Sequence, residues 1–206
     1  MELLYLKNAT AAKHRKVEQD LNLLDPSFTR IQYTALLKGF YGFHRPWESA
    51  VEAVLDTGLP GFFAPRKKLP YLEADLRYLG FASEALTAIP ECPHLPALAG
   101  MAAALGSLYV VEGSSLGGRI LRQHFSRHLH LPLDAGCRYF SGYGDQTGPM
   151  WSAFGELLAT RPATENEAML ESACSTFDLL GDWLSNAIHT DAILPLTALG
   201  TRIEFT

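Results

Sequence analysis

The chain has 206 residues, of which 48% are hydrophobic and 19% charged, and its 17 basic and 22 acidic side chains give a formal net charge of −5. A chain of this length buries roughly 70% of its unfolded surface without disulfides or a structural metal. The composition therefore predicts one soluble domain over residues 1–206, excludes a disordered or fibrous protein and argues against nucleic acid as a partner.

Apolar residues at three- and four-residue spacing predict two helices at the start of the chain. The first covers residues 2–24, and the second, longer helix covers residues 28–57 with a kink at Pro46. A shorter amphipathic helix is predicted within residues 65–79, and Ser83 is a candidate cap for the turn that follows.

The second half of the chain continues the helical pattern. Residues 98–129 predict a long helix interrupted by small residues, and a connection over 131–149 leads to two further helices over 150–160 and 164–190. No stretch alternates polar and apolar residues for long enough to predict a sheet, and the tail over 191–206 is left unassigned. The pattern therefore predicts an all-α, single-domain helical bundle.

Cysteine usage and the start of the chain bear on where the protein works. The three cysteines are widely spaced, and the N-terminus lacks the basic start and long apolar run of a secretory signal, so we expect a cytoplasmic protein. Residues 92–111 carry no Asp, Glu, Lys or Arg and approach the length of a membrane span. Pro93, Pro96 and many small residues favour a buried core helix instead, so we expect no membrane partner.

His14 is the histidine whose helical neighbours make chemical sense as a set. Glu18, one turn later, is placed to accept the Nδ1–H of the imidazole, which leaves Nε2 free to bind a metal. Lys7 and Thr10 extend the same stripe, and Lys7 adds a cation that could meet an acidic group of a ligand. A surface pair or a satisfied core histidine would show the same spacing, so these alternatives stay open at this point.

Three glycines fall within the predicted long helix, in the run from Tyr109 to Arg119. Each costs about 0.5–1 kcal/mol relative to alanine in a helix interior. Gly113 and Gly117 are one turn apart, so the missing Cβ atoms open a slot in which a planar ligand could lie against the main chain. Close packing of two helices explains the same pattern equally well.

Together the two patterns offer an axial nitrogen and a sterically open opposite wall, which suits a macrocycle with a central metal. Residues 6–18 resemble the proximal helix of heme oxygenases, and residues 112–118 resemble their distal helix. Residues 173–177 are similar to a pocket-lining segment of the same family. The resemblance extends over residues 5 to about 188 and is strongest to the bacterial branch, which includes the oxygenases that make the bacteriophytochrome chromophore.

The resemblance implies a heme-oxygenase-like bundle with heme sandwiched between the proximal and distal helices. The heme-binding residues that it implies are His14 as the iron ligand, Glu18 as its orienting partner, Lys7 and Tyr109 at the propionates, Thr10 beside them, and Phe177 in the pocket wall. The catalytic residues that it implies are Gly113 and Gly117 in a kinked distal backbone and Ser114 beside the bound oxygen. Animal members carry an aspartate where this chain has Ser114, which leaves open which groups anchor the distal water.

The activity implied by the resemblance is the oxidative opening of heme to biliverdin, with release of carbon monoxide and ferrous iron. Heme is then both cofactor and substrate, and O2 and external electrons are consumed. The sequence has no glycine motif for a nucleotide and no cysteine set for an iron–sulfur cluster, so a separate reductase or ferredoxin is implied. A bacteriophytochrome is a candidate receiver of the biliverdin. Two alternatives stay open, a non-catalytic heme carrier and a bundle enzyme without heme.

Two other pairs of polar residues are spaced one helical turn apart. His124 and His128 could in principle bind zinc, but no third ligand is apparent and neighbouring arginines favour a solvated basic face. Asp178 and Asp182 could be paired catalytic carboxylates, but the pattern favours surface charges or caps.

Overall fold

The computed structural model describes residues 3–191, which form seven α-helices and no β-strand within that range. The helices are α1 Leu3–Leu21, α2 Arg30–Leu55, α3 Leu69–Tyr78, α4 Ser83–Thr87, α5 Met101–His128, α6 Thr147–Ala159 and α7 Asn166–Asp191. The predicted all-α class is confirmed. The tail that the sequence leaves unassigned lies outside the described residues, apart from Asp191 at the end of α7.

Helix α2 begins at a complete capping box and runs through Pro46 without ending. Thr29 and Gln32 each accept a hydrogen bond from the other's backbone N–H. Pro46 has no N–H for the carbonyl of Gly42, but the backbone N–H of Cys92 donates to that carbonyl at 2.9 Å. The loop before α5 therefore satisfies the carbonyl that Pro46 leaves without a helical donor, and the kink at Pro46 stays a prediction.

Other boundaries differ from the prediction for local reasons. Ser83 does not cap α4: Ala82 holds the cap position, and the Ser83 hydroxyl accepts a hydrogen bond from Arg77 at 3.2 Å. Helix α6 begins at Thr147, earlier than predicted, because Pro149 lies in the first helical turn, where backbone N–H groups have no intrahelical partner.

A short chain of hydrogen bonds joins α2, α5 and α7 in the core. The Trp47 indole N–H donates to the Ser107 hydroxyl at 2.8 Å, and the Thr176 hydroxyl donates to the same oxygen at 2.9 Å. All three side chains are fully buried. Because buried polar groups cost free energy unless they are paired, these hydrogen bonds fix the relative positions of the three helices along one another.

Helices α1 and α5 both pack against α7 and make far less contact with each other. Lys13 on α1 donates to both carboxylate oxygens of Asp178 on α7, at 2.6 and 2.8 Å. Asp178 therefore holds two helices together rather than pairing with Asp182. We term the region between α1 and α5, with α7 as its floor, the slot. Within the described residues, no helix combines the length and apolar character needed to cross a membrane.

Candidate active site

His14 on α1 contacts α7, the floor of the slot. Its Nδ1 lies 3.3 Å from Oε2 of Glu18, and its side chain is 54% exposed. The imidazole meets the buried Phe177 ring of α7 edge-on, with ring centroids 5.9 Å apart. No residue in the described range 3–191 hydrogen-bonds to Nε2. This nitrogen is therefore free to bind a metal while Glu18 orients the ring.

Lys7 and Thr10 lie in the first half of α1, and Tyr109 of α5 is hydrogen-bonded to Thr10. We term this region the near end of the slot. Thr10 is buried and donates its hydroxyl proton to the Leu6 carbonyl at 2.7 Å. Burial raises the pKa of Tyr109, against a smaller opposing effect of its hydrogen bond with Thr10. Lys7 is exposed and has no ion pair among the described residues. A cation and a neutral phenol therefore lie at one end of the slot, where they could bind an acidic group of a ligand.

Two of the four glycines in α5 serve close packing. A Cβ at Gly106 would lie 2.1 Å from the backbone oxygen of Met169 in α7, and one at Gly118 would lie 2.5 Å from the backbone oxygen of Phe140. Neither backbone can move aside cheaply, so these positions require glycine. Helix packing, the alternative explanation for the glycines of this helix, applies to these two.

The other two glycines leave one side of α5 bare, which we term the glycine face. A Cβ at Gly117 would meet no atom within 4 Å, and one at Gly113 would meet only the Trp151 ring, at 3.7 Å. The helix continues unbroken from Met101 to His128, so the interruption predicted at these glycines is wrong, whereas the kink of the distal backbone stays a prediction. The close contacts at Gly106 and Gly118 on either side hold the helix in place, and its backbone hydrogen bonds can continue.

Ser114 stands beside the glycine face and is exposed. Its hydroxyl donates to the Val111 carbonyl at 2.8 Å, a common local bond for serine within a helix. Because the proton is engaged in this bond, the Ser114 oxygen offers a nearby water an acceptor rather than a donor.

Trp151 on α6 is a site residue that the sequence analysis does not single out. Its ring lies against Gly113 and 5.8 Å from the Tyr109 ring, centroid to centroid. The indole N–H groups of Trp47 and Trp183 both donate hydrogen bonds, whereas that of Trp151 has no partner among the described residues. No local signal in the sequence predicts this position, because it depends on how α6 packs beside α5.

A second missed group is the buried polar cluster against another side of α5. Glu112 forms a fully buried ion pair with Arg66 and accepts a hydrogen bond from the Tyr143 phenol. Arg66 also donates to the Met150 carbonyl at 3.3 Å, so it anchors the residue that precedes Trp151. Lys68 is buried with its Nζ 3.4 Å from the Tyr143 ring centroid, and its Nζ has no hydrogen-bond partner in the described part of the chain.

Lys68→Met is expected to stabilise the protein by about 3 kcal/mol at pH 7. Burial lowers the pKa of Lys68 from 10.5 to about 8, although Glu112 and Glu48 act in the opposite direction. Because the pKa is lower in the folded state, the unfolded state binds more protons between pH 8 and 10.5. Wild-type stability should therefore gain a contribution as pH rises through this window, and the burial penalty is fully present below it.

Urea unfolding at pH 7 and pH 9.5 measures this effect. The gain in stability from Lys68→Met should shrink at the higher pH, because deprotonation of Lys68 already removes the cost of burying its charge in the wild-type protein. A loss of stability at pH 7 would show instead that attraction to the Tyr143 ring and the two carboxylates exceeds the burial penalty.

The residues around the slot fit a heme. The donor set is an imidazole with a free Nε2, and the missing Cβ at Gly117 leaves open space on the glycine face. The buried Phe177 ring supplies an apolar contact at the floor, and Lys7 supplies a cation for a carboxylate. Imidazole is a ligand that suits heme iron.

Comparisons with known proteins agree with this fit. The family model described as heme oxygenase matches residues 3–186. A protein named heme oxygenase from Xanthomonas campestris is 33% identical over 129 residues, which cover 63% of this chain and 73% of that protein.

The fold is similar to those of solved heme oxygenases. That of Neisseria meningitidis, solved with NO and CO bound, superposes with a TM-score of 0.75 at 23% identity, covering 91% of this chain and 92% of the other. That of Leptospira interrogans superposes with a TM-score of 0.68 at 17% identity, covering 90% and 100%. These likenesses support the fold. Because the family match extends over nearly the whole sequence, the chain belongs to the heme oxygenase family.

Proposed function

We propose that this heme oxygenase binds the iron of its substrate through Nε2 of His14 and lays the opposite face of the ring against Gly113 and Gly117. The observation that carries the proposal is that a free imidazole nitrogen on α1 and a bare helix face on α5 each follow, one turn later, the hydrogen-bonded pair Thr10 and Tyr109. Both lie on the segments that resemble the family's proximal and distal helices. Glu18 keeps the imidazole in the tautomer that leaves Nε2 unprotonated.

Bound heme supplies both the iron that activates O2 and the ring that is opened to biliverdin, with release of carbon monoxide and ferrous iron. The protein's own residues hold and orient it. Phe177 packs at the floor beside His14, Lys7 and Tyr109 would bind the propionates next to Thr10, and the backbone at Gly113 and Gly117 would limit the space over the other face of the ring. Ser114 accepts a hydrogen bond from distal water, and electrons come from a separate protein donor.

Heme titration followed by turnover tests this assignment. One equivalent of heme should give a Soret complex, and ascorbate or a reductase under air should then replace the Soret band with bilin absorption. A complex that survives reductant and air unchanged would identify a heme carrier instead. Failure to form a stoichiometric complex would favour a bundle enzyme without heme.

Gly117→Ala is expected to separate stability from heme binding. The added Cβ meets open space in the free protein, so helix propensity should raise stability by about 0.5–1 kcal/mol. The same methyl group would project toward the ring, and we expect heme affinity to fall about tenfold, equivalent to 1.4 kcal/mol. Heme titration and thermal unfolding measure the two effects.

Gly148→Ala is a matched control, since a Cβ at this exposed position of α6 also meets open space. It should leave heme affinity unchanged. Equal heme affinity in the wild type and in Gly117→Ala would remove Gly117 from the proposed heme contact.

We also propose that the enzyme works in the cytoplasm and passes biliverdin to a bacteriophytochrome. Support comes from the resemblance of residues 6–18 and 112–118 to bacterial members that make this chromophore. A coupled reaction with apo-bacteriophytochrome should develop the red absorption of the assembled chromophore. The proposal fails if authentic biliverdin assembles with the receiver but the coupled reaction does not produce the adduct.

A further inference from the structure

A cavity of about 540 Å³ lies where α1 ends beside the last turns of α5. Its lining residues are Leu24, Ile120, Gln123, His124, Arg127 and His128. Thr10 meets Tyr109 at the near end of the slot, whereas Leu24, fourteen residues after Thr10, meets the C-terminal turns of α5. The two helices therefore run in the same direction along the slot, and this cavity is its far end.

The far end continues the glycine face. Gly113, Gly117, Ile120 and His124 follow one another at spacings of four, three and four residues, so they share one side of α5. Ile120 is 64% exposed, an unusually open position for a large apolar side chain in this protein. From Gly117 to His124 the helix rises about 10 Å, which places the far end within reach of a propionate arm on a ring seated at the glycines.

The far end is cationic. Residues 113–133 contain three arginines and three histidines but no Asp or Glu. Arg122 donates to the Leu133 carbonyl, whereas Arg127 has no ion pair or side-chain hydrogen bond within residues 3–191. Asp25 is an acidic side chain close enough for His128 to lower its pKa, and its carboxylate already accepts hydrogen bonds from Ser27.

His124 is the polar group that lacks a partner. Its Nε2 is buried with no hydrogen bond in the described part of the chain, and its ring stacks on that of His128, with centroids 5.5 Å apart and planes at 19°. The sequence favours a solvated basic face here, and the structure corrects this for His124, which is half-buried. No third metal ligand joins the pair among the described residues. A carboxylate oxygen would satisfy Nε2 and neutralise Arg127 together.

We propose that the far end is a second carboxylate subsite for the tetrapyrrole, so that heme seats in two in-plane orientations, with its propionates at either the near or the far end. This rests on the proposed function, because the axis of rotation is the bond from His14 to iron. A half-turn about that axis exchanges the two ends without changing the axial ligand. The position of attack is fixed relative to the protein rather than relative to the ring. The two seatings therefore yield biliverdins opened at opposite meso carbons.

Binding of iron-free protoporphyrin and of its dimethyl ester tests the subsite without turnover. In a Lys7→Ala background, where the near-end seating is weakened, Arg127→Gln and His124→Leu, singly and together, should each weaken binding of the diacid about tenfold while leaving the ester unchanged. Arg119→Gln is the matched control, since Arg119 is an exposed arginine of the same helix that does not line this cavity. An unchanged ratio of ester to diacid affinity in the double variant would overturn the proposal.

Chromatography of the bilin products gives the second readout. The wild type should yield two isomers opened at opposite meso carbons, and the far-end variants should lower the share of one of them about tenfold relative to the other. Lys7→Ala should shift the ratio in the opposite direction. A single wild-type isomer, or a ratio that the far-end variants do not change, would overturn the two seatings. If the His14 assignment were wrong instead, the Soret band would not depend on His14 in any of these backgrounds.

Discussion

Replacing His14 with alanine is expected to abolish conversion of heme to biliverdin while the protein stays folded. The imidazole is the nitrogen donor proposed to hold the iron, and outer partners of metal ligands alone account for 10- to 100-fold effects, so we expect a loss of more than about 100-fold. Stability should change by less than about 0.5 kcal/mol, because His14 is half-exposed and its contacts are the Phe177 edge and Glu18.

Heme titration and product analysis measure the effect of His14→Ala. The Soret maximum should shift, and imidazole added to the buffer should restore the wild-type spectrum by filling the vacated position. His94→Ala is the control, since His94 is an exposed histidine in the loop before α5, and it should behave as wild type. A wild-type spectrum in His14→Ala without added imidazole would show that another group binds the iron.

The pairing of His14 with Glu18 could be predicted because it depends on the geometry of one helix. Residues four apart lie on the same face whatever the rest of the chain does, so spacing alone places the carboxylate beside Nδ1. The all-α class follows from the same rule applied along the whole chain. For α1 the predicted and observed bounds differ by only a few residues at either end.

The features that sequence analysis missed depend on contacts between distant segments. Pro46 leaves the Gly42 carbonyl without its helical donor, and only the fold shows that the backbone N–H of Cys92 replaces it. Trp151 reaches Gly113 across the packing of two helices. Spacing alone cannot tell which glycines of α5 pack and which stay bare, because Met169 and Phe140 decide that question from other parts of the chain.

Glu112→Gln is expected to destabilise the protein by about 3–5 kcal/mol, because it leaves the Arg66 guanidinium buried without a countercharge. Glutamine keeps the size of the side chain and an acceptor for the Tyr143 phenol, so the change isolates the charge. For a chain of this length, Tm should fall by roughly 10 °C. Urea unfolding followed by circular dichroism gives the free-energy difference directly.

Two further variants decide whether charge or packing is responsible. Asp20→Asn breaks the exposed Lys16–Asp20 pair and should cost less than about 0.5 kcal/mol. A triple variant, Arg66→Met with Glu112→Leu and Tyr143→Phe, removes the three hydrogen-bonded partners together and leaves Lys68 in place. It should recover most of the lost stability, because an apolar replacement leaves none of these three side chains unpaired. If the triple variant were as unstable as Glu112→Gln, the loss would lie in packing against Phe62 and Phe154, whose rings face the Arg66 guanidinium, rather than in the buried charge.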